Sequence, residues 1–351
     1  MRLGLSMSLA SSAAGLRNQV ELGVAADRLG YDVVWVPEAY GGDAVSVLAA
    51  IAARTERIGI GSAVLQIPAR TPAMTAMTAA GLDALSRGRF RLGLGVSGPQ
   101  VSEGWHGIRF ADPLGRTREY VQIVRDALAR RRVTAAGRHF TLPLPDSAGK
   151  ALVLALETER PEVPVYLAAV GPKSIALTGE IADGWLAIFF DAQRGAEQIA
   201  TVHDAAAQSG RDPSALDIAV QVPVSMADDA HLAGQRVRPY AALYIGGMGS
   251  KKVNFYHGIA TAMGYGEQAD EVQRLFLSRD YPAAAAEVPQ EFLDRTCLIG
   301  TEADIVAGLG RLRAAGVTTV GLNPISLPLP QQVETLERIM TLARGAGLLG
   351  G

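Results

Sequence analysis

Residues 58–72 read IGIGSAVLQIPARTP, and residues 90–100 read FRLGLGVSGPQ. In each segment, branched apolar residues alternate with glycine, which is typical of a buried β-strand. The alternation is lost after Ser62 in the first segment and at Ser97 in the second, and proline follows in both. A buried strand that ends in small residues at a bend lets the backbone approach a flat ligand. The two segments therefore predict neighbouring strands with one shared site at their C-terminal ends.

The same strand-then-helix unit recurs along the chain. We predict strands at residues 2–6, 32–37, 58–63, 89–96, 164–169, 183–189, 216–224 and 317–322. Most are followed by an apolar helical stripe, and glycines such as Gly30 and Gly316 lead into the next strand. Eight such units predict the α/β class and a parallel (β/α)8 TIM barrel. A doubly wound open sheet is the alternative, but its glycine-rich dinucleotide loop is absent after the first strand.

We expect residues 1–351 to form a single barrel domain with two insertions. The first, at about residues 133–163, predicts a hairpin around Gly137 and Phe140 and then an irregular loop that contains proline. The second, at about residues 228–295, follows strand seven and is mainly helical, with no strand pattern. We expect this helical insertion to cover the mouth of the barrel.

The composition excludes several classes of partner. The 351 residues are 48% hydrophobic and carry a net charge of −2, from 33 basic and 35 acidic residues that are well mixed. This balance gives no one-sided basic surface for nucleic acid or anionic lipid. No apolar run approaches the roughly 20 residues that a membrane span needs. The chain begins with the strand-like RLGLS and no basic-then-apolar leader, so we expect a cytoplasmic protein.

The sequence predicts no metal site. The single cysteine, Cys297, excludes an internal disulfide and a cysteine-built cluster, and its apolar surroundings favour a buried, unreactive thiol. The five histidines are scattered and lack metal-binding spacing.

In a TIM barrel, the chemistry lies at the C-terminal ends of the strands. Val64 and Leu65 can give the apolar wall that a planar ring needs. Backbone N–H groups where Gly171-Pro172-Lys173 opens a helix, or at Ser97 and Gly98, can bind a phosphate. The alternative is that these glycines only make tight turns. The candidates at these ends are Met7, Glu38, Ala63 to Gln66, Ser97, Gly98, Val170, Gly171, Pro172 and Asp191.

Four segments carry a resemblance to a known family: VVWVPEAYGGDA (33–44), RIGIGSAVLQIPARTP (57–72), LDALSRGRFRLGLGVSGPQVSEGWHG (82–107) and VYLAAVGPKSIALTGEIADGW (165–185). The chain resembles the luciferase-like flavin and deazaflavin oxidoreductases along nearly its whole length, and within them the coenzyme F420-dependent branch. The resemblance implies a (β/α)8 barrel, a planar tricyclic cofactor at the strand ends and a homodimer. It also implies a cis peptide bond without proline at Ala63-Val64, with Val64 against the cofactor ring.

The resemblance also assigns roles to single residues. Related deazaflavin enzymes carry an acidic residue at the position of Glu38, often followed by histidine, whereas this chain has Ala39. We therefore predict Glu38 as a catalytic residue, with helix capping as the alternative. The predicted cofactor-binding residues are Met7, Glu38, Ala63, Val64, Gln66, Ser97, Gly98, Glu103, Val170, Gly171 and Pro172.

Two further groups have open interpretations. After strand four, Trp105 can form part of the pocket wall, and His106 is either a surface residue or a proton donor. Lys251 and Lys252 either solvate a helix end or meet an anionic group of the cofactor or substrate.

The expected function is hydride transfer between coenzyme F420 and an organic substrate whose identity the sequence does not reveal. One alternative is an FMN-dependent monooxygenase of the same superfamily. Another, which the lack of histidine at Ala39 motivates, is a catalytically silent barrel that only binds the cofactor. The expected partners are a small-molecule substrate and a second copy of the chain, with no nucleic acid or membrane.

Overall fold

The structure is a computed structural model that describes residues 1–160, 162–250, 253–325 and 327–350. Its strands are β1 (Arg2–Ser6), β2 (Val33–Val36), β3 (Gly59–Ser62), β4 (Leu65–Gln66), β5 (Phe90–Gly95), β6 (Ala135–Ala136), β7 (Thr141–Leu142), β8 (Val165–Ala168), β9 (Gly184–Ile188), β10 (Asp217–Met226), β11 (Leu298–Gly300) and β12 (Thr319–Pro324). The strands β1, β2, β3, β5, β8, β9, β10 and β12 pair in parallel in the order β10-β12-β1-β2-β3-β5-β8-β9, and the pairing of β9 with β10 closes the ring. The predicted eight-stranded barrel is therefore confirmed.

Helices surround the barrel and follow the predicted alternation. They are α1 (Ala13–Leu29), α2 (Ala44–Ala52), α3 (Pro72–Leu85), α4 (Pro99–Gly104), α5 (Pro113–Leu128), α6 (Pro172–Ile181), α7 (Ala192–Gln208), α8 (Ala230–Ala242), α9 (Phe255–Ala262), α10 (Gly266–Leu277), α11 (Tyr281–Ala286), α12 (Gln290–Thr296), α13 (Glu302–Ala314) and α14 (Leu329–Gly345). Asp43 caps α2, and Thr301 forms a capping box with Asp304 at α13. No helix in the described part of the chain is long and apolar enough to cross a bilayer.

Two segments interrupt the alternation of barrel strands and helices. The hairpin β6–β7 pairs Ala135 with Leu142, and an irregular segment follows it. Helices α8 to α12 lie between β10 and β11, beyond the seventh barrel strand, and have an apolar core of their own. Strand β11, which pairs Leu298 with Val224 of β10, was not predicted. Lys251 and Lys252 lie outside the described residues.

The barrel interior is filled by aromatic side chains for which strand glycines make room. A Cβ atom on Gly61 would lie 2.4 Å from the ring of Trp35, and one on Gly184 would lie 2.2 Å from the ring of Tyr166. The two rings meet edge to face with centroids 5.1 Å apart and pack with Leu186. Gly61 thus accommodates an internal side chain, not a ligand as its place in the strand pattern suggested.

Candidate functional site

The end of β3 carries a bulge at the position where the sequence pattern breaks. Ile60 pairs with Phe90, and Leu65 pairs with Leu94. Five residue steps from β3 to β4 therefore face four residue steps along β5. The Ser62 hydroxyl replaces the lost backbone pairing, because it donates to the Gly93 carbonyl at 2.8 Å and accepts from the Gly93 N–H at 2.9 Å. The bulge is therefore held by a side chain at a point where the two strands lie very close.

The bulge places Ala63 and Val64 at the open end of the barrel. The peptide bond between them is cis, at the position expected from the resemblance. Both side chains are partly buried and pack onto the interior cluster that contains Trp35. A Cβ atom on Gly95 would lie 2.5 Å from Cγ2 of Val64, so Val64 lies directly over that glycine. The two residues form an apolar ledge above an aromatic floor.

A polar network borders this ledge. The Ser97 hydroxyl donates to Oε1 of Gln66 at 3.0 Å, and Nε2 of Gln66 donates to the carbonyl of Ala39 at 2.7 Å. Gln66 is 4% exposed, and Ser97 has a left-handed φ of 60°. Gly98 begins α4 in an extended conformation with open space around it. The structure therefore brings Gln66, Ser97 and the loop after β2 together, as predicted for a shared site.

Both carboxylate oxygens of Glu38 accept hydrogen bonds from other groups of the protein. Its two carboxylate oxygens accept from the guanidinium of Arg70, at 2.5 and 2.9 Å, and one of them also accepts from the Ala44 N–H at 3.2 Å. The side chains of Glu38 and Arg70 are only 7% and 17% exposed. Glu38 thus links the start of α2 to the loop before α3, which matches the capping alternative. Its participation in catalysis stays a prediction.

The other candidates surround the same end of the barrel at different depths. Met7 is buried and its N–H donates to the Trp35 carbonyl at 3.0 Å. Val170 is partly buried, and Gly171 and Pro172 are exposed at the N-terminus of α6. Asp191 caps α7 and forms an ion pair with Arg295, so it contributes to the structure of the insertion.

The residues after β5 lie further out. Glu103 accepts from the Phe110 N–H at 3.1 Å, and its side chain is 40% exposed. Trp105 is 68% exposed, so the structure places it on the surface and not in a pocket wall. The Nε2 atom of His106 is buried and has no hydrogen-bond partner among the described residues. Of these three residues, Glu103 connects α4 to the loop that follows it.

The sequence analysis missed a buried amide inside the barrel. Gln221 on β10 pairs with Ile188, the last residue of β9, and both of its amide atoms are buried without a partner in the described structure. A Cβ atom on Gly321 would lie 2.5 Å from Oε1 of Gln221, so that glycine makes room for the amide. Gln221 is the one polar residue between Ile218 and Val224, and this was the signal that pointed to it.

The described residues hold no group of three or more histidine, cysteine or acidic side chains that could bind a metal ion. What the site offers is an apolar ledge, an aromatic floor and a polar border. Such a set suits a flat organic ring with polar edges.

Comparisons with known proteins agree with this architecture. The profile of the luciferase-like monooxygenase family matches residues 2–319. A Mycobacterium tuberculosis protein provisionally assigned as a coenzyme F420-dependent oxidoreductase is 41% identical over 325 residues, which cover 91% of this chain and 93% of that protein.

Two solved structures share the fold. The coenzyme F420-dependent tetrahydromethanopterin reductase from Methanopyrus kandleri has a TM-score of 0.80 at 22% identity, over 97% of this chain and 98% of that one. The oxygenating constituent of 3,6-diketocamphane monooxygenase from Pseudomonas putida, solved with FMN, has a TM-score of 0.70 at 21% identity, over 97% and 96%. The expected oxidoreductase of a luciferase-like family is thus confirmed: this chain belongs to the luciferase-like monooxygenase family.

Proposed function

We propose that the protein transfers a hydride between coenzyme F420 and an organic substrate. The observation that carries the proposal is the ledge of Ala63 and Val64, which lies over an aromatic floor and beside the hydrogen-bonded pair of Gln66 and Ser97. A planar deazaflavin needs apolar support on one face and polar partners at its edge. The 41% identity to a protein provisionally assigned to the F420-dependent oxidoreductases favours this cofactor.

The residues present fit such a ring. The Ser97 hydroxyl donates to Gln66 and can still accept a hydrogen bond from the edge of a ring, and Gly98 has open space around it. The exposed start of α6 at Gly171 offers backbone N–H groups for the phosphate of the cofactor tail.

The protein contributes support, orientation and exclusion of water. Val64 blocks one face of the ring site, which confines reaction to the opposite face and holds the reacting atoms in one geometry. The helical insertion α8–α12 covers the other side and limits the access of water. The hydride chemistry itself comes from the bound cofactor.

Equilibrium binding tests the cofactor. We expect F420 to bind saturably in a titration that measures its intrinsic fluorescence, and we expect FMN to bind at least tenfold more weakly. Tight FMN binding without affinity for F420 would contradict the proposal. It would favour the FMN-dependent monooxygenase, for which the fold shared with an FMN-binding monooxygenase is the supporting observation.

A turnover assay separates the enzyme from the silent barrel. The F420-loaded protein, given a panel of alcohols, ketones and enones, should change the absorbance of the deazaflavin with at least one of them. We further propose that the protein works as a cytoplasmic homodimer on a small molecule, with no nucleic acid or membrane partner.

A further inference from the structure

Two hydrogen-bonded links join the loop after β2 to the segment that leads from the ledge to α3. In the first, Nε2 of Gln66 donates to the Ala39 carbonyl at 2.7 Å. In the second, the guanidinium of Arg70 binds both carboxylate oxygens of Glu38. Glu38 and Ala39 are adjacent in the chain. Only a 3-10 turn, Ile67–Ala69, separates Gln66 from Arg70. The two short segments are therefore fixed to each other at two points.

Arg70 is itself held in place. Its backbone carbonyl accepts from the Tyr120 hydroxyl at 3.2 Å, and that hydroxyl lies 2.5 Å from the hydroxyl of Thr75. Tyr120 is 1% exposed, so these bonds lie inside the protein. A guanidinium presents a planar fork of donors, and a bidentate pair with a carboxylate fixes direction as well as distance. Arg70 therefore holds Glu38, and with it the neighbouring Ala39 carbonyl, in one position.

The Ala39 carbonyl decides which way the side-chain amide of Gln66 faces. A carbonyl oxygen only accepts hydrogen bonds, so it pairs with the NH2 group of the amide and not with the amide oxygen. Oε1 of Gln66 is thereby turned towards Ser97, whose hydroxyl donates to it at 3.0 Å. Gln66 is 4% exposed, so water has little access to these bonds. The direction of the hydrogen bond from Ser97 to Gln66 is therefore fixed by the protein.

This arrangement leaves the Ser97 hydroxyl as an acceptor. A serine hydroxyl has one proton and two lone pairs, and here the proton is donated to Gln66. Among the hydrogen bonds of the described residues, none is donated to the Ser97 oxygen. Ser97 is partly exposed, and a Cβ atom on its neighbour Gly98 would meet nothing within 4 Å. A ligand can therefore reach this oxygen and must bring a donor to it.

Ser97 lies beside the apolar ledge. Gln66 pairs with Gly95 across β4 and β5, and the Val64 side chain covers the same glycine. Ser97 follows Gly95 by two residues, so the hydroxyl and the ledge flank one short stretch of backbone. The edge of a flat ring that lies on Val64 then meets Ser97.

We propose that Ser97 accepts a hydrogen bond from a ring N–H of the cofactor, and that Arg70 is the positioning residue that gives Ser97 this polarity. The site then takes a planar heterocycle whose edge carries an imide N–H, as a pyrimidinedione ring does. This inference rests on the proposed function, because the ring is that of the proposed cofactor. The hydrogen bond orients the ring within its plane, whereas Val64 supports one face.

NMR and fluorescence titration with F420 that is isotope-labelled at its ring nitrogens test the contact. In the parent protein, the imide N–H resonance should shift downfield on binding, and F420 methylated at that nitrogen should bind at least tenfold more weakly. Ser97→Ala should weaken F420 about fivefold, the effect of one neutral hydrogen bond, and abolish the downfield shift. The matched control is Ser278→Ala, whose hydroxyl donates to the Leu275 carbonyl on α10; it should change neither quantity.

A second pair of variants tests the positioning residue. Arg70→Lys keeps the charge but loses the bidentate fork, so the Ala39 carbonyl is held less firmly and the Gln66 amide can turn. In protein whose circular dichroism matches that of the parent, we expect a smaller downfield shift and an F420 affinity about threefold lower. Arg54→Lys, which loses an equally bidentate contact with Glu21 on the surface, should change neither quantity.

The outcomes separate this inference from the proposed function. A parent protein that binds neither F420 nor FMN overturns both. If it binds FMN alone, the proposed function fails, and labelled FMN, whose ring carries the same imide edge, tests Ser97 in the same way. If F420 binds, three results overturn the role of Ser97: equal affinity for methylated F420, unchanged F420 affinity in Ser97→Ala, or a downfield shift that persists in that variant. An Arg70→Lys protein that matches the parent in both measurements overturns the role of Arg70.

Discussion

Val64 covers Gly95 at the open end of the barrel, so closely that a Cβ atom on the glycine would lie 2.5 Å from Cγ2 of the valine. Neither partner can yield easily, because Gly95 belongs to the β5 ladder and Val64 has a stiff, branched side chain. The shape of the apolar ledge therefore depends on the absence of a methyl group on Gly95 of the neighbouring strand.

Gly95→Ala should disturb the ledge. The added methyl group displaces Val64, and we expect the F420 affinity to fall at least tenfold while overpacking lowers the free energy of unfolding by about 1–3 kcal/mol. Fluorescence titration and denaturant unfolding measure the two effects. Gly310→Ala, on α13, is the control, because a Cβ atom there meets nothing within 4 Å and the residue is not among the site candidates. Unchanged affinity in Gly95→Ala would show that the ledge does not contact the cofactor.

Glu38→Gln should destabilise the protein. It removes one partner of a well-shielded ion pair and leaves Arg70 without its counter-charge, which costs about 3–5 kcal/mol for a buried pair. Chemical denaturation measures this loss in the free energy of unfolding. The comparison variant is Glu21→Gln, whose partner Arg54 and own side chain are half exposed, so that solvent screens the pair and the loss of stability should be much smaller. A stable Glu38→Gln protein that binds F420 but turns over no substrate would instead support a catalytic role.

The Cys297 thiol should resist modification in the folded protein. Burial raises the pKa of Cys297 to about 12, whereas an unfolded cysteine has a pKa near 8.5. Only the thiolate is a good nucleophile, so Ellman's reagent at pH 8 should react fully in guanidinium and at most slowly in buffer. Because the folded pKa is raised, the contribution of this thiol to stability is complete below about pH 8.5 and is lost as the pH rises towards 12. Rapid reaction of the native protein would contradict the buried position.

The proposed homodimer has a candidate contact surface on α2 and α3. The outward faces of these adjacent helices carry no charged side chain, and Met74, Met77 and Leu85 are 51%, 55% and 63% exposed. Large apolar surfaces of this kind mark protein contacts. Met77→Glu should convert a dimer into a monomer in sedimentation velocity, whereas Leu277→Glu, at a half-exposed position on α10, should not. A monomeric parent protein at micromolar concentration would exclude the homodimer.

The sequence predicted the barrel strands and the bulge because both depend on local pattern. β-Branched runs indicate strands directly, and the alternation broke after Ser62, where the structure has its extra residue. Strand β11 was missed because three residues are too few to show a period, and its pairing with β10 is a tertiary contact. The ion pair of Glu38 with Arg70 joins residues 32 positions apart, and only the folded chain brings them together.

The aromatic cluster of Phe189 with Tyr240, Tyr244 and Tyr256 was predictable only in part. Tyr240 and Tyr244 are four residues apart, a spacing that places both on one helix face. Their convergence on Phe189 depends on how the insertion packs, which no local pattern reveals. The glycines of β3 were misleading about the ligand site for a similar reason. Gly61 makes room for Trp35, which lies on another strand.

The insertion α8–α12 has an apolar core separate from that of the barrel. The insertion joins the main sheet through β10 and β11. Substitutions within its core can therefore accumulate without disturbing the packing of Val64 on Gly95. On the proposed function, a lineage of such proteins can change the insertion and keep the ledge that supports the cofactor.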